Sequence, residues 1–288
     1  MILHRHMTAD GYEPPRPSEQ ASEPWPEPIT TRAVSIEDRM RHRKSRKVKR
    51  AAVYAGTRNL YQDMVPAAKS MIMNAPVDKV YFLIEDSRFP EWLPDMVECV
   101  DVRDQPWFDK TGPNYINIWS YMCLMKMTLA KLFPEYSRIL MVDVDTIVDM
   151  DISELWEMDM GDNMFGMVQE YLVNHGGVYH NCGVLLQNLD LIRKEKADDR
   201  LIEILNTEKL QYPEQDAMNR NYSDRIMDLD LKYNGSFCCG YVADVAIWHY
   251  AGTPAWRDNH WIKGYEYQRK YRDKSWDEVL VAHKERYG

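Results

Sequence analysis

Residues 138–150 read RILMVDVDTIVDM, an apolar run of strand length that ends in two aspartates separated by one residue. Side chains alternate along a strand, so Asp143 and Asp145 lie on the same side where the strand ends. The unbroken apolar run at residues 139–142 is typical of a strand buried on both faces of a parallel sheet. In open α/β sheets, ligands bind outside the carboxyl ends of the strands. The stretch therefore predicts an α/β protein with two carboxylates at such a ligand site.

Two neighbouring carboxylates favour a bound cation, because like charges repel unless a cation or a polar ligand lies between them. Their hard oxygen atoms suit Mg²⁺ or Mn²⁺, which commonly bridge protein carboxylates to the phosphates of a substrate. Two alternatives stay open at this point. The pair can be an ordinary solvated loop or helix cap. The DVDT stretch also resembles the first motif of haloacid-dehalogenase-like phosphatases, in which Asp143 would be the nucleophile, Asp145 a general acid and Thr146 a phosphate contact.

The composition predicts one large globular domain. The chain has 288 residues, of which 45% are hydrophobic, and this is enough for a substantial core. No apolar run approaches the roughly 20 residues of a membrane span, and the opening residues lack the apolar core of a signal peptide. The five cysteines are odd in number and have no zinc-type spacing. We therefore expect reduced thiols and a cytoplasmic protein.

The net charge of −9 conceals a basic block. Residues 38–50 carry a net charge of +7, so the remainder of the chain carries −16. Such a block can contact nucleic acid, acidic lipid or the acidic body of the protein itself. A solvated or self-docking segment is the favoured interpretation.

The residue patterns divide the chain into three parts. Residues 1–47 are rich in proline and glutamate and then basic, which predicts a disordered or loosely draped arm. Residues 48–260 alternate between strand and helix patterns, which predicts a mostly parallel sheet with helices on its faces. Residues 261–288 are aromatic and basic and predict a helical tail packed on that domain. Predicted strands cover residues 48–57, 79–85, 96–102, 139–142, 164–169, 179–186, 226–231 and 245–250, and predicted helices cover 61–73, 118–133, 152–156, 199–206 and 214–221.

Five stretches carry a family resemblance: AVYAGTRNLY (52–61), YMCLMKMTLAKLFPEYSRILMVDVDTIV (121–148), YHNCGVLLQNLDLIRK (179–194), YPEQDAMN (212–219) and WHYAGTPAW (248–256). In this order they resemble the family 8 retaining glycosyltransferases, which include glycogenin and bacterial lipopolysaccharide galactosyl- and glucosyltransferases. The resemblance implies a single glycosyltransferase-A domain, a Rossmann-like sheet that binds a nucleotide sugar. It also argues against the phosphatase alternative, whose acidic motif normally lies near the start of its domain.

The resemblance implies a metal centre. Asp143 and Asp145 match the family's Asp-x-Asp metal pair, Val144 between them is assigned to the donor site, and His249 resembles the third metal ligand. Mn²⁺ (or Mg²⁺) would be the ion, because Mn²⁺ accepts mixed carboxylate and imidazole ligands. It would neutralise the diphosphate of a UDP-sugar donor.

The resemblance also assigns donor-binding residues. These candidates are Ala55, Gly56, Thr57, Tyr61, Val144, Gly183 and Gly252. The segment 55–57 would meet uracil and ribose, and the ring of Tyr61 would face the uracil. Ordinary packing on a helix face remains an equal alternative for Tyr61.

Four residues are catalytic candidates by the same resemblance: Lys126, Asn181, Glu214 and Gln215. Lys126 occupies a position where many members carry a donor-binding arginine, and the amide of Asn181 would hold sugar hydroxyls or phosphates. Glu214 stands where the family usually has aspartate, and its extra methylene group would shift the sugar-binding carboxylate by about 1 Å or more. Gln215 would lie below the anomeric carbon. A family lysine expected after Gly252 is absent.

These assignments predict a Mn²⁺-dependent retaining enzyme that moves a hexose from a UDP-sugar to an acceptor hydroxyl. Glucose and galactose are the leading candidates for the hexose. The alternative is a catalytically weak nucleotide-sugar or nucleic-acid binding module recruited through the basic block. The acceptor can be a glycan, a protein or a nucleic acid, because acceptor sites are built from loops that carry no transferable code. No pattern indicates an oligomeric state.

Overall fold

The computed structural model describes residues 30–41, 50–173, 175–251 and 269–288. Most of the predicted disordered arm, at residues 1–29 and 42–47, lies outside the described residues, as do residues 48–49 of the predicted domain. So do Gly252 and the first part of the predicted tail, which belong to residues 252–268.

The described chain alternates between strands and helices from its first residues to its last. The strands are β1 Thr31–Arg32, β2 Val34–Ser35, β3 Ala51–Ala55, β4 Lys79–Ile84, β5 Arg88–Phe89, β6 Val97–Asp101, β7 Arg138–Val142, β8 Thr146–Val148, β9 Phe165–Gln169, β10 His180–Asn188, β11 Ile226–Asp228 and β12 Ile247–His249. The α-helices are α1 Ile36–Arg41, α2 Tyr61–Asn74, α3 Leu129–Leu132, α4 Glu154–Glu157, α5 Leu189–Glu195, α6 Ala197–Thr207, α7 Pro213–Asn221 and α8 Trp276–Tyr287. Short 3₁₀ helices cover Arg58–Leu60, Tyr121–Thr128, Ser223–Arg225 and Leu231–Asn234.

One large sheet forms the centre of the described residues. Its eight strands follow the order β11-β9-β10-β7-β3-β4-β6-β2. All neighbouring strands are parallel except at β10, which runs antiparallel to both β7 and β9. Both faces are buried, because Ala52 and Leu140 belong to the cluster that packs against α2, whereas Val53 and Met141 belong to the cluster on the opposite face. The predicted α/β class and the mostly parallel sheet are confirmed.

The reversed strand β10 decides which segments meet. Because β10 is antiparallel to β7, its first residues lie beside the carboxyl end of β7, with Val184 opposite Val142. The carboxyl ends of β3, β7 and β9 therefore meet the amino end of β10 at one edge of the sheet. A separate two-stranded sheet pairs β12 with β8 and places His249 opposite Thr146.

The predicted helix over residues 118–133 is different in the structure. Residues 121–128 form a 3₁₀ helix, and only the following four residues are α-helical. The carbonyl of Lys126 accepts a hydrogen bond from Gln187 Nε2 at 2.9 Å, and Thr128 Oγ1 donates to the carbonyl of Met125 at 2.8 Å. Side-chain donors thus take backbone acceptors in this segment, and the tertiary contacts override its helical pattern.

The described part of the N-terminal arm lies on the sheet, in contrast to the loosely draped segment expected there. Strand β2 adds a parallel edge strand beside β6. Arg39 of α1 is 5% exposed, donates to Glu135, and lies over the rings of Tyr81 and Phe133. A guanidinium stacked on aromatic rings and paired with a carboxylate is a stable anchor, so this part of the basic block docks on the chain's own body.

The described end of the chain packs on α2 through α8. Ser275 caps α8 in a reciprocal capping box with Glu278, and the ring of His283 contacts the Ile72 carbonyl at 2.7 Å. Among the residues with described positions, no helix combines the length and the apolar character that a membrane crossing requires.

Candidate active site

The turn after β7 is fixed by backbone contacts with both neighbouring segments. The N–H of Asp143 donates to the carbonyl of Gly183 at 2.8 Å, and the N–H of Tyr250 donates to the carbonyl of Asp145 at 2.9 Å. Thr146 Oγ1 closes the turn by donating to the Asp143 carbonyl at 2.7 Å. The two aspartates are therefore held between β10 and β12.

His249 completes a cluster of three potential ligands. Its Nε2 lies 3.8 Å from Asp143 Oδ2 and 3.5 Å from Asp145 Oδ1. One ligand atom from each residue lies within 4.8 Å of the others. Burial disfavours the charge of Asp145, but the facing imidazole of His249 outweighs it and lowers the pKa of this carboxyl below its ordinary value.

The orientation of the His249 ring suits metal binding. Asn234 donates through Nδ2 to Asn181 Oδ1 at 2.9 Å, so its own Oδ1 faces His249 Nδ1 at 2.8 Å. Nδ1 must then carry a ring proton, so Nε2 is the nitrogen that faces the two aspartates. Burial opposes the charge of His249, but Asp145 and Asp143 outweigh it and raise the pKa of His249, so Nε2 would release its own proton on binding an ion. Two carboxylates and one imidazole fit a divalent ion such as Mn²⁺. The cluster can hold a metal ion.

Position 183 requires glycine because the ring of His249 lies very close to its backbone, not because of an unusual backbone angle. A Cβ atom at this position would lie 2.0 Å from Cε1 of His249. The imidazole ring therefore occupies the space that any other residue would need.

Replacing Gly183 with alanine should displace the His249 ring and weaken Mn²⁺ binding by about 10- to 100-fold, the usual cost of disturbing a ligand's support. Calorimetric titration with Mn²⁺ measures this loss. Gly177→Ala is the matched control, because nothing lies within 4 Å of a Cβ built there. Wild-type affinity in Gly183→Ala would contradict the role assigned to the ring position.

Lys126 joins the acidic pair to a second carboxylate. Its amino group lies 2.8 Å from Asp143 Oδ1 and 3.1 Å from Glu214 Oε1, and its side chain is only 3% exposed. The same nitrogen lies 3.4 Å from Cys182 Sγ. Burial opposes its charge, but Asp143, Cys182 and Glu214 together raise the pKa of Lys126 well above its usual range. The lysine is therefore a permanent cation between two carboxylates.

The pKa values of these two carboxyls are shifted in opposite directions. Burial raises the pKa of Asp143 above its ordinary value, against the attraction of Lys126. Burial also opposes the charge of Glu214, but Lys126 outweighs it and keeps the pKa of Glu214 below its ordinary value. Glu214 is thus an ionised, buried carboxylate at neutral pH.

Gln215 and Asn181 converge on a residue that the sequence motifs did not indicate. Both side-chain amides donate to Glu170 Oε1, Asn181 at 2.8 Å and Gln215 at 3.1 Å. The oxygen of the Gln215 amide accepts the N–H of Cys182 at 3.0 Å. The residues from the third and fourth family motifs therefore form one hydrogen-bonded group.

The candidate donor segment adjoins the acidic pair, but Tyr61 does not face open space. A Cβ atom on Gly56 would lie 3.4 Å from Cγ1 of Val144, so Gly56 lies beside the turn that bears the aspartates. Tyr61 is 2% exposed, packs its ring against Phe89, and donates its hydroxyl to Asp86 at 2.9 Å. This position corresponds to the helix-packing alternative.

The structure thus brings together the described metal, catalytic and segment 55–57 candidates, whereas the ring of Tyr61 lies in the core. Sequence reasoning missed Asn234 and Glu170. Glu170 directly follows the predicted strand 164–169, and a polar residue at that point was a usable signal. Asn234 lies in a 3₁₀ helix between two strands, where no motif indicated it.

The chain matches the family described as Glycosyl transferase family 8 over residues 53–260. Glycosyltransferase GlyE of Streptococcus pneumoniae serotype 4 (TIGR4) is 26% identical over 209 residues, which cover 68% of this chain and 50% of that protein. Lipopolysaccharide glucosyltransferase WaaO of Escherichia coli K12 is 25% identical over 173 residues, which cover 50% of this chain and 51% of WaaO.

Solved structures show the same fold. The crystal structure of GlyE superposes with a TM-score of 0.63 at 21% identity, and the match covers 83% of this chain and 64% of GlyE. The galactosyltransferase LgtC, solved with donor and acceptor sugar analogues, gives a TM-score of 0.56 at 19% identity, covering 81% of this chain and 99% of LgtC.

The matched region spans most of the chain, so the protein belongs to glycosyltransferase family 8. The family resemblance inferred from the five motifs and the glycosyltransferase-A fold are confirmed. The chain spans about half the length of the curated relatives GlyE and WaaO.

Proposed function

We propose that the protein transfers a hexose from a UDP-sugar to an acceptor hydroxyl with retention of the anomeric configuration, using Mn²⁺ (or Mg²⁺). The observation that carries this proposal is the convergence of Asp143, Asp145 and the oriented Nε2 of His249 at the edge of the sheet, with Lys126 paired to Asp143. Family membership supports the class of reaction.

Asp143, Asp145 and His249 would hold the divalent ion. When bound, such an ion supplies the positive charge that neutralises a diphosphate leaving group. Lys126 adds a second cation beside Asp143, and residues 55–57, of which Gly56 lies beside Val144, would receive the nucleoside. Glycine at position 183 lets the backbone and the ring of His249 approach closely, so the ligand set stays compact.

Glucose and galactose are the donor sugars that we propose first. WaaO is described as a glucosyltransferase and LgtC as a galactosyltransferase. In this chain Glu214 would anchor sugar hydroxyls, and its salt bridge with Lys126 keeps it ionised and therefore a hydrogen-bond acceptor. Carboxylates that accept sugar hydroxyls contribute strongly to the discrimination between hexoses.

Retention would proceed by attack of the acceptor hydroxyl on the face from which the diphosphate departs. Gln215 supports this front-face route, because a neutral amide held at both ends is a poor nucleophile but a usable dipole beside a cationic sugar. Asn181, at the amino end of β10, would orient the donor.

The proposal predicts slow release of UDP from one member of a panel of UDP-sugars in the presence of Mn²⁺. A chelator should reduce that release to the background rate, and added Mn²⁺ should restore it, because the carboxylate pair needs the ion to receive a diphosphate. Coupled UDP detection measures the rate. Release that is equally fast with chelator would contradict the metal-dependent proposal.

We also propose a cellular location and a class of acceptor for the protein. All five cysteines are free, which supports a reducing, cytoplasmic location. The acceptor is a hydroxyl of a glycan, a protein or a nucleic acid. Binding of UDP-sugars with no turnover towards any acceptor would favour the alternative of a nucleotide-sugar or nucleic-acid binding module.

A further inference from the structure

A buried carboxylate that no motif indicated lies among the catalytic candidates. Glu170 directly follows β9, is 8% exposed, and is anchored through its backbone N–H, which donates to the carbonyl of Tyr179 at 2.8 Å. Its two carboxylate oxygens have different partners. Oε1 accepts from the amides of Asn181 and Gln215, and Oε2 lies 2.6 Å from His175 Nε2.

The contacts of Gln215 leave its amide one orientation. The backbone N–H of Cys182 requires an acceptor, so it must face the amide oxygen, at 3.0 Å. Glu170 Oε1 requires a donor, so it must face the amide nitrogen, at 3.1 Å. A rotation of the amide by half a turn would place oxygen against oxygen and nitrogen against N–H, and would lose both hydrogen bonds.

The amide of Asn181 is fixed in the same way. Its oxygen accepts from Gly183 N–H and Asn234 Nδ2, both at 2.9 Å, and its nitrogen donates to Glu170. Asn234 in turn orients the ring of His249. One carboxylate therefore terminates a chain of oriented amides that reaches a metal-ligand candidate.

We propose that Glu170 is a positioning residue for the transfer reaction, because its carboxylate fixes the amides of Gln215 and Asn181. This inference rests on the proposed function. Glu170 acts as a hydrogen-bond acceptor. Without it, the buried amide donors of Gln215 and Asn181 would reorient or recruit water. Without Glu170 the oxygen of Asn181 is still held by Gly183 N–H and Asn234, so the ring of His249 should keep its orientation. The residues proposed to bind the nucleotide lie on other elements, so Glu170 should influence turnover rather than affinity for UDP.

The test compares Glu170→Ala with Glu170→Gln. In the glutamine variant the amide oxygen can accept from Asn181 and Gln215, while its nitrogen faces His175. We expect Glu170→Ala to lower kcat for UDP release by about 10- to 100-fold, as for other supporting partners of a site. Glu170→Gln should recover most of that loss, and the Kd of UDP with Mn²⁺ should change less than about twofold in both variants.

The matched control is Glu135→Ala, which removes a glutamate paired with Arg39 at the distant N-terminal segment. It should leave kcat unchanged. An unaltered kcat in Glu170→Ala would overturn the proposal. So would equal losses in the alanine and glutamine variants, because the negative charge rather than hydrogen-bond acceptance would then act. A fall in kcat that merely follows a loss of stability in all three variants would overturn it as well.

A second measurement does not depend on turnover. The side-chain NH₂ signals of Asn181 and Gln215 in ¹⁵N NMR spectra, assigned with single substitutions, should shift and exchange faster with solvent in Glu170→Ala but not in Glu170→Gln. If wild-type protein released no UDP from any donor, the proposed function would fail, while these signals would still decide whether Glu170 orients the amides. Unchanged signals in Glu170→Ala would overturn the inference.

Discussion

Asparagine in place of Asp145 is expected to abolish metal-dependent release of UDP while the protein stays folded. Asp145 Oδ1 lies 3.5 Å from His249 Nε2, within the three-residue cluster. The substitution removes a charged ligand, so Mn²⁺ affinity and turnover should both fall by more than about 100-fold, the upper value for loss of a mere supporting partner. The near-isosteric side chain keeps the backbone contact with Tyr250, and the free energy of unfolding should stay within about 1 kcal/mol.

Calorimetric titration with Mn²⁺ and a UDP-release assay measure the two effects. Asp151→Asn is the matched control: this carboxylate lies eight residues after Asp143 in the chain and pairs with Arg286 at the surface. It should leave both quantities unchanged. Full activity of Asp145→Asn in Mn²⁺ would remove the acidic pair from the proposed site.

The substitution Lys126→Met is expected to give the largest loss of stability among the site variants. Its removal leaves Glu214, 6% exposed, as a buried carboxylate whose remaining contacts include the weak thiol of Cys182 at 3.4 Å. Breaking a buried pair by deleting one partner costs about 3 kcal/mol or more. Urea unfolding without metal at pH 7 measures the difference.

The pH dependence identifies the cause of that loss. In the wild type the pKa of Glu214 is depressed, so its contribution to stability is present above the ordinary carboxyl pKa and is lost as the pH falls through the depressed value. Without Lys126, burial alone would raise the pKa of Glu214, so the neutral form would be the stable one. The deficit of Lys126→Met should therefore be largest near neutral pH and smaller in acid.

Two further variants separate charge from packing. The double variant with Lys126→Met and Glu214→Gln should recover more than half of the lost stability, because it removes the uncompensated charge. The control Lys232→Met deletes a lysine paired with the exposed carboxylate of Glu154, and should cost less than about 1 kcal/mol. No recovery in the double variant would show that lost packing, not charge, explains the effect.

Much of the fold could be predicted because its strands carry their own signal. The run at residues 139–142 is apolar on both faces, and it forms β7 in the centre of the sheet. The 3₁₀ geometry in the segment 118–133 could not be predicted, since its local pattern is helical and the Lys126 carbonyl accepts from the side chain of Gln187 on β10. The edge strand β2 was also missed, because a two-residue strand has no periodicity to detect.

In the candidate site, too, the local features could be predicted from the sequence and the long-range contacts could not. The spacing of Asp143 and Asp145 is local, and a family motif is needed only to connect them with His249. The contact between Lys126 and Glu214 joins residues 88 positions apart, and that between Glu170 and Gln215 joins residues 45 positions apart. Such pairings depend on the strand order, which local patterns do not encode.

The sequence by itself determined the α/β class, the glycosyltransferase family and the identity of the three candidate metal ligands. The reason is that alternation along a strand and ordered motifs are properties of neighbouring residues. Only the tertiary structure decided the orientation of the ligands and their support. The reversal of β10 brings Asn181 and Gly183 to the end of β7, where Asn234 donates to Asn181, and Asn181 and Gln215 both donate to Glu170. Buried polar groups must find partners wherever the fold has placed them, and those partners come from distant parts of the chain.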